Sequence, residues 1–296
     1  MTIAKIEGAP APARWSARIA LFSLVLLATA ILLHRFFGMA TPVFLRLVVL
    51  AFIGAGAAIL IGILMAVRIW RDGVSGTARL VVAFTVAGGI LAWPLAVLPI
   101  TRSLPELNDV STSREAPPAF EALGPLRKPP ANPAEYPAQR FAAVQAERYP
   151  DLATLAVNRS VTETYDLVLE AVRRERMAVA REQPPAAEND MTGTIEAIDR
   201  TLVIGFYDDV AVRVAGNGSE ARIDIRSASR FGRHDFGRNV QRVRALLRGI
   251  VARLESTIPG TAGERGQKAR GGRPLKPGAG KDAAKDADRK KAAPRQ

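Results

Sequence analysis

The sequence predicts a membrane α-helical N-terminal region of three spans, followed by an α+β soluble domain with an antiparallel sheet and packed helices. Three observations carry that expectation. Ile19–Leu33, Leu47–Val67 and Leu80–Ile100 contain no charged residue and are bracketed by arginines. Beyond residue 138, short blocks alternate between a period of two and a helical period. Between two of the alternating blocks lies Asn217-Gly218, the pattern of a β-hairpin.

The second and third apolar runs hold 21 residues each. At about 1.5 Å per residue, that length crosses roughly 30 Å of hydrocarbon. The first holds 15 residues and spans only if Arg18 and Arg35 snorkel to the two interfaces. Ala28-Thr29-Ala30 has the small-x-small form of a signal cleavage site, but Ile31–Leu33 continue the apolar run past it. An uncleaved helix is therefore expected. Pro94 and Pro99 are expected to bend or end the third helix.

Arginine counting sets the expected orientation. Lys5, Arg14, Arg18, Arg68, Arg71 and Arg79 fall on one side, against Arg35, Arg46, Arg102 and Arg114 on the other. The majority side is read as cytoplasmic, which places everything after Ile100 in the periplasm of a bacterial inner-membrane protein. The resulting division is a cytoplasmic N-terminus (1–18), a transmembrane region (19–100, spans near 19–35, 47–67 and 80–100), a Pro-rich spacer (101–137), the soluble domain (138–257) and a basic tail (258–296). Gly54, Ala58 and Gly62 recur every four residues on one face of the second span. Small residues at that spacing let helices approach closely, within the chain or in a homo-oligomer.

Eight prolines between Pro105 and Pro137 favour an extended spacer that either floats free or lies over the soluble domain. In the soluble domain, helices are expected at Gln139–Glu147, from a Ser160 or Thr162 cap to Arg174, and from an Asp235 cap to Glu255. The last helix has Phe236, Val240, Val243, Leu247, Ile250 and Leu254 as its buried stripe. Strands are expected at Leu155–Asn158, Met177–Arg181, Gly193–Ile204 and on either side of the Asn-Gly turn. The sheet should have four or five strands, with helices on one face.

The chain carries 41 Lys and Arg against 28 Asp and Glu, a formal charge of +13. From Pro259 to Gln296 there are eleven basic residues against four acidic ones, with scarcely a large apolar side chain. That tail is expected to be disordered and to favour anionic lipid headgroups or an anionic envelope polymer. It lacks the interleaved aromatics that would suit nucleic acid. The absence of cysteine excludes disulfides, thiolate catalysis and Cys-type metal sites. Two histidines, His34 and His234, are too few and too far apart for a multi-histidine metal centre, and no cofactor is expected. No Asp, Glu or Lys lies within a span, which argues against a pump or secondary transporter.

Function-capable groups concentrate in Phe206–Arg213 and Asp224–Asn239. On antiparallel strands, Arg213, Asp224 and Arg226 fall opposite the valines and isoleucines. One reading of them is a solvated face of cross-strand ion pairs. Asp208-Asp209 equally fits a turn. The other reading is an anion site built from Arg213, Asp224, Arg226, Ser227, Ser229, Arg230, His234 and Asn239 at the start of the last helix. Asp235 competes with any such anion for the helix amides. An acid–base role for Asp208, Asp209 and His234 is a hydrolase-like alternative, although no Gly-x-Ser-x-Gly elbow accompanies it.

Several segments carry a family resemblance: Leu104-Pro105-Glu106-Leu107-Asn108-Asp109-Val110-Ser111-Thr112, Pro117-Pro118-Ala119-Phe120, Tyr149-Pro150-Asp151, the run Gly205–Arg213, the run Asp224–Arg230 and the run Gly232–Asn239. In order and spacing they resemble the bacterial family catalogued as "domain of unknown function 1499", here in membrane-anchored form. The resemblance covers roughly Leu104–Leu254 and implies no activity or catalytic residues. The expected function is a binding or scaffolding module in the cell envelope, engaging an anionic lipid, polymer or protein partner. The alternatives are an envelope enzyme and a structural membrane-assembly subunit.

Overall fold

A computed structural model describes residues 11–186 and 191–257. The basic tail and Lys5 lie outside the described residues. Three helices, α1 (Ala11–Phe36), α2 (Thr41–Asp72) and α3 (Thr77–Ser103), are each long and apolar enough to cross a membrane. The first is not the short helix its apolar run suggests. It begins eight residues earlier, at Ala11, and its 26 residues reach about 39 Å. The charges at Arg14 and Arg18 end the hydrophobic run but not the hydrogen-bonded helix. Pro42 opens α2, where a missing amide costs nothing, and Gly73 closes it in the left-handed conformation with its N–H on the Ile69 carbonyl. Pro94 and Pro99 both lie inside α3, which ends only at Ser103.

The small residues of α2 are used within the chain. A Cβ on Gly54 would collide with Ser23 Oγ, and one on Gly62 would stand 2.9 Å from the Phe84 ring. Ala58 is fully buried, and its carbonyl accepts the Ser16 hydroxyl at 2.8 Å. Such close approach is what glycine and alanine permit between apolar helices.

Beyond α3 come β1 (Asp109–Ser111), a 3-10 turn (Gly124–Leu126), α4 (Ala138–Arg148), β2 (Leu155–Val157), α5 (Val161–Arg174), β3 (Ala178–Gln183), β4 (Thr192–Arg200), β5 (Tyr207–Gly216), β6 (Ala221–Ser229) and α6 (Arg238–Ser256). The antiparallel sheet has six strands in the order β1-β6-β5-β4-β3, with β2 sharing the β6 edge with β1. The fold is thus α+β behind three membrane-type helices. Ser160 caps α5 by accepting the Glu163 amide, and the Asn217 side chain accepts the amides of Ser219 and Glu220 in the β5–β6 turn.

Two local expectations are corrected. β4 stops at Arg200, because Thr201 folds the chain back: its hydroxyl accepts the amides of Gly205 and Phe206, and Gly205 takes φ +88°. Phe206 therefore starts a new direction, and Leu202 and Val203 point outward. Phe236 does not belong to the buried stripe of α6. It precedes the helix at φ +55°, exposed and stacked on His234. Val240, Val243 and Ile250 are buried as expected and are joined by Asn239, Arg242 and Leu246, whereas Leu247 and Leu254 are only half-buried.

Both faces of the sheet are covered. Val210, Val212, Val214, Ile223 and Ile225 face α5 and α6, whereas the opposite face carries Phe120 and Leu123 against Ala211 and Ala228. Residues 112–137 thus lie over the sheet, and their neighbour Asp109 starts a strand within it. The domain is also fastened to the bundle. The Arg200 guanidinium donates to the carbonyls of His34 (3.1 Å) and Arg35 (2.6 Å) at the C-terminus of α1. His34 is buried, with Nδ1 2.8 Å from the Ile204 carbonyl and Nε2 3.0 Å from Thr41 Oγ1, and its ring stacks on Phe44.

Candidate functional site

Strand geometry divides the expected site residues before any chemistry is considered. Successive side chains point to opposite faces, so Asp208 and Asp209, which lie in β5 rather than in a turn, face opposite sides of the sheet. The two carboxylates cannot converge on one substrate. Asp208 turns toward α6 and accepts Arg242 at 2.6 Å, while Asp209 turns to the other face. His234 is engaged elsewhere: its Nδ1 accepts the Phe236 amide, and its Nε2 lies 3.3 Å from the Leu104 carbonyl. The hydrolase-like trio is not assembled.

On the face covered by residues 112–137, the arginines have carboxylate partners. Arg226 holds Asp109 through two hydrogen bonds, of 3.0 and 2.7 Å, and also donates to the carbonyls of Pro118 and Ala134. Its guanidinium lies 4.4 Å from the centre of the Phe120 ring and 5.6 Å from that of Tyr136. Arg230 and Arg127 share Asp209, and Arg127 further donates to the Ala228 carbonyl. Arg213 pairs with Asp224 directly across the strands at 2.6 Å. The face read as solvated is therefore a buried ionic layer, because the Pro-rich segment roofs it. Burial pushes the Asp109 carboxyl up, with Arg226 opposing, and pushes the Arg127 guanidinium down, with Asp209 opposing.

On the helix face, Ser227, Ser229 and Asn239 form one chain. Ser227 Oγ bonds Asn239 Oδ1 at 2.7 Å, Asn239 Nδ2 donates to Ser229 Oγ at 3.0 Å, and Arg242 donates to Ser227 and Asn239 as well as Asp208 and Asp199. The start of α6 is occupied from within, since Asp235 accepts the amides of Gly237 and Asn239. Burial nevertheless pushes the Asp235 carboxyl up. The eight residues of the expected anion site thus lie in two layers and a loop rather than around one space.

One cavity adjoins both layers. It measures about 310 Å³, and its lining includes Asn108, Asp109, Arg127, Asn132, Glu135, Tyr136, Arg140, Phe141 and Ser229. Of the residues singled out from the sequence, only Ser229 reaches it. The Tyr136 hydroxyl contacts Gln145 Oε1 at 3.3 Å, and buried Gln145 is fixed by the backbone of Ser111. Burial, reinforced by the Asp109 charge, pushes the Tyr136 phenol up to about 12. Arg140 is half exposed at the rim, 3.5 Å from Glu106, which Arg233 also contacts at 2.6 Å. Sequence reasoning missed Asp109, Arg127, Tyr136 and Arg242. The first three lie in or beside a stretch read as spacer, and the signal there was charge and aromaticity out of place in a linker.

No curated protein matches the chain. Among solved structures, the crystal structure of TTHA0849 from Thermus thermophilus aligns with 13% identity over 36% of this chain and 97% of its own, at a TM-score of 0.20. Residues 109–250 match the family described as "Protein of unknown function (DUF1499)". That match begins at β1 and ends in α6, so it takes in Asp109 and the roofing segment together with the sheet and helices. Residues 109–250 thus form a DUF1499-like domain, set behind three membrane-type helices.

Proposed function

We propose that this is a bacterial inner-membrane protein whose periplasmic domain is a binding module, not an enzyme, holding the polar part of an envelope ligand close to the bilayer. The observation that carries the reading is the place of the cavity. Its wall residue Asn108 lies five residues beyond Ser103, the end of α3. Extended chain of that length covers at most about 18 Å. A ligand in the cavity would sit at the membrane surface, within reach of a lipid headgroup or of a polymer tethered there.

The chemistry supports binding over turnover. Among the described residues the carboxylates and His234 that an acid–base reaction would need are held by internal partners. The cavity offers amides, aromatic walls and the half-exposed Arg140, beside the carboxylate of Glu135 and Asp109 and Arg127, each paired elsewhere. The periplasmic side rests on the arginine distribution alone.

Native mass spectrometry of the full chain in nanodiscs of mixed phosphatidylglycerol and phosphatidylcholine tests the site. Retained phosphatidylglycerol adducts that disappear in Arg140→Glu, with melting unchanged, are the expected result. Equal retention by both proteins would remove the cavity from consideration as a headgroup site.

A further inference from the structure

The loop between β4 and β5 presents the two most exposed large apolar side chains of the soluble domain, Leu202 (81% exposed) and Val203 (71%). A flexible loop would have little reason to display them, but this one is built rigidly. The Thr201 amide donates to the Phe206 carbonyl, the Gly205 amide is shared between the Thr201 carbonyl and hydroxyl, and that hydroxyl also accepts the Phe206 amide. The loop is also fixed in height. Ile204 accepts His34, Phe206 packs its ring edge-on against buried Phe44, and a Cβ on Gly205 would meet the Arg35 side chain. His34 and Arg35 form the last turn of α1.

That turn lies where the span ends. Arg18 and Arg35 are separated by about 25 Å of helix at 1.5 Å per residue, so Arg35 sits at the boundary of a hydrocarbon layer roughly 30 Å thick. Phe36 and Phe37, both exposed, continue the apolar surface past Arg35. Polar segments of a soluble domain docked at this level would be in water. Instead the loop turns a leucine and a valine outward beside an apolar helix end.

We propose that Leu202 and Val203 insert into the interfacial region of the bilayer, so that the soluble domain grips the lipid directly as well as through its helices. The partner is the lipid surface itself, and the neighbouring end of α1 and start of α2 identify it. Insertion of such an apolar tip reaches about 5–10 Å into the headgroup and acyl boundary.

The absence of cysteine makes the test direct. Leu202→Cys and Ser219→Cys are each labelled with an environment-sensitive fluorophore in the full chain, reconstituted into phosphatidylcholine nanodiscs. Position 219 lies in the β5–β6 turn, the length of a 10-residue strand from the docked end. The expected result is blue-shifted emission at 202 that is lost when nitroxide-labelled phosphatidylcholine is included, with the 219 label quenched only by aqueous iodide. Iodide quenching of equal strength at both positions, without nitroxide quenching at 202, overturns the proposal. That second result would mean a loop left open for a protein partner. Because Leu202 is exposed, its replacement leaves the fold intact, and a normal melting curve for Leu202→Cys verifies this.

Discussion

Arg226 and Asp109 lie 117 residues apart in sequence and face each other through two hydrogen bonds, with side chains 3% and 4% exposed. Removing one partner leaves a buried charge without compensation, at a cost of about 3–5 kcal/mol. Asp109→Ala and Arg226→Ala are each expected to lower stability by that order in chemical denaturation. The double variant Asp109→Leu with Arg226→Met should regain most of the loss, since a well-packed apolar pair can replace an ion pair. A double variant less stable than either single variant would mean the two residues are not coupled. A binding defect in Arg226→Ala consequently reports on folding, not on ligand recognition.

The Tyr136 phenol supplies a pH-dependent term of definite sign. Its folded value of about 12 exceeds the ordinary 10, because burial and the Asp109 charge disfavour the phenolate. The folded state therefore keeps a proton that the unfolded state releases. Stability from this group is fully present below pH 10 and is lost as pH rises toward about 12. Denaturation midpoints measured across that interval should fall more steeply for the wild type than for Tyr136→Phe. Parallel curves would show that the phenol is not shielded.

The packing of Gly62 separates two uses of the small-residue stripe. A larger side chain at 62 must displace the Phe84 ring and meets Ser16 Oγ at 3.2 Å. Overpacking of this kind costs about 1–3 kcal/mol. Gly62→Leu should lower the melting temperature of the detergent-solubilised protein without changing its oligomeric state. An unchanged melting temperature with loss of an oligomer would assign the stripe to self-association.

The hairpin end of the sheet reports sidedness. Ser219 is exposed at the turn between β5 and β6. A Ser219→Cys variant in intact cells should react with a membrane-impermeant maleimide, as the arginine distribution expects. Reaction only after lysis would place domain and tail in the cytoplasm and turn attention to the anionic inner leaflet.

The apolar half of the fold was legible because its signals are local. Val210, Val212 and Val214 alternate with Asp209, Ala211 and Arg213, Ser160 and Asp235 announce helix starts, and Asn217 marks the turn. The polar half was not. Arg226 and Asp209 look like surface charges in their own strands, and only residues 112–137, roofing that face, bury them. No periodicity encodes a contact between a Pro-rich segment and a strand about a hundred residues later. The same reasoning explains the expected anion site: Ser227 and Arg226 are neighbours in sequence but face opposite layers. The cavity was invisible because its walls come from the linker, α4 and the end of β6.

Arg200 is the residue on which the attachment of domain to bundle turns. Its guanidinium donates to two carbonyls at the C-terminus of α1, where the helix dipole concentrates negative charge. The Arg200 side chain also lies 4.9 Å from the centre of the Tyr207 ring, which holds it at the start of β5. Charged hydrogen bonds of this kind contribute about 1.5–3 kcal/mol. In Arg200→Ala, amide exchange across Thr201–Tyr207 is expected to accelerate roughly tenfold or more, the equivalent of that energy. Exchange in β6 should stay at the wild-type rate, because its amides bond within the sheet. Acceleration spread evenly over the domain would point to global destabilisation, and no acceleration would mean His34 and Phe206 hold the loop without Arg200.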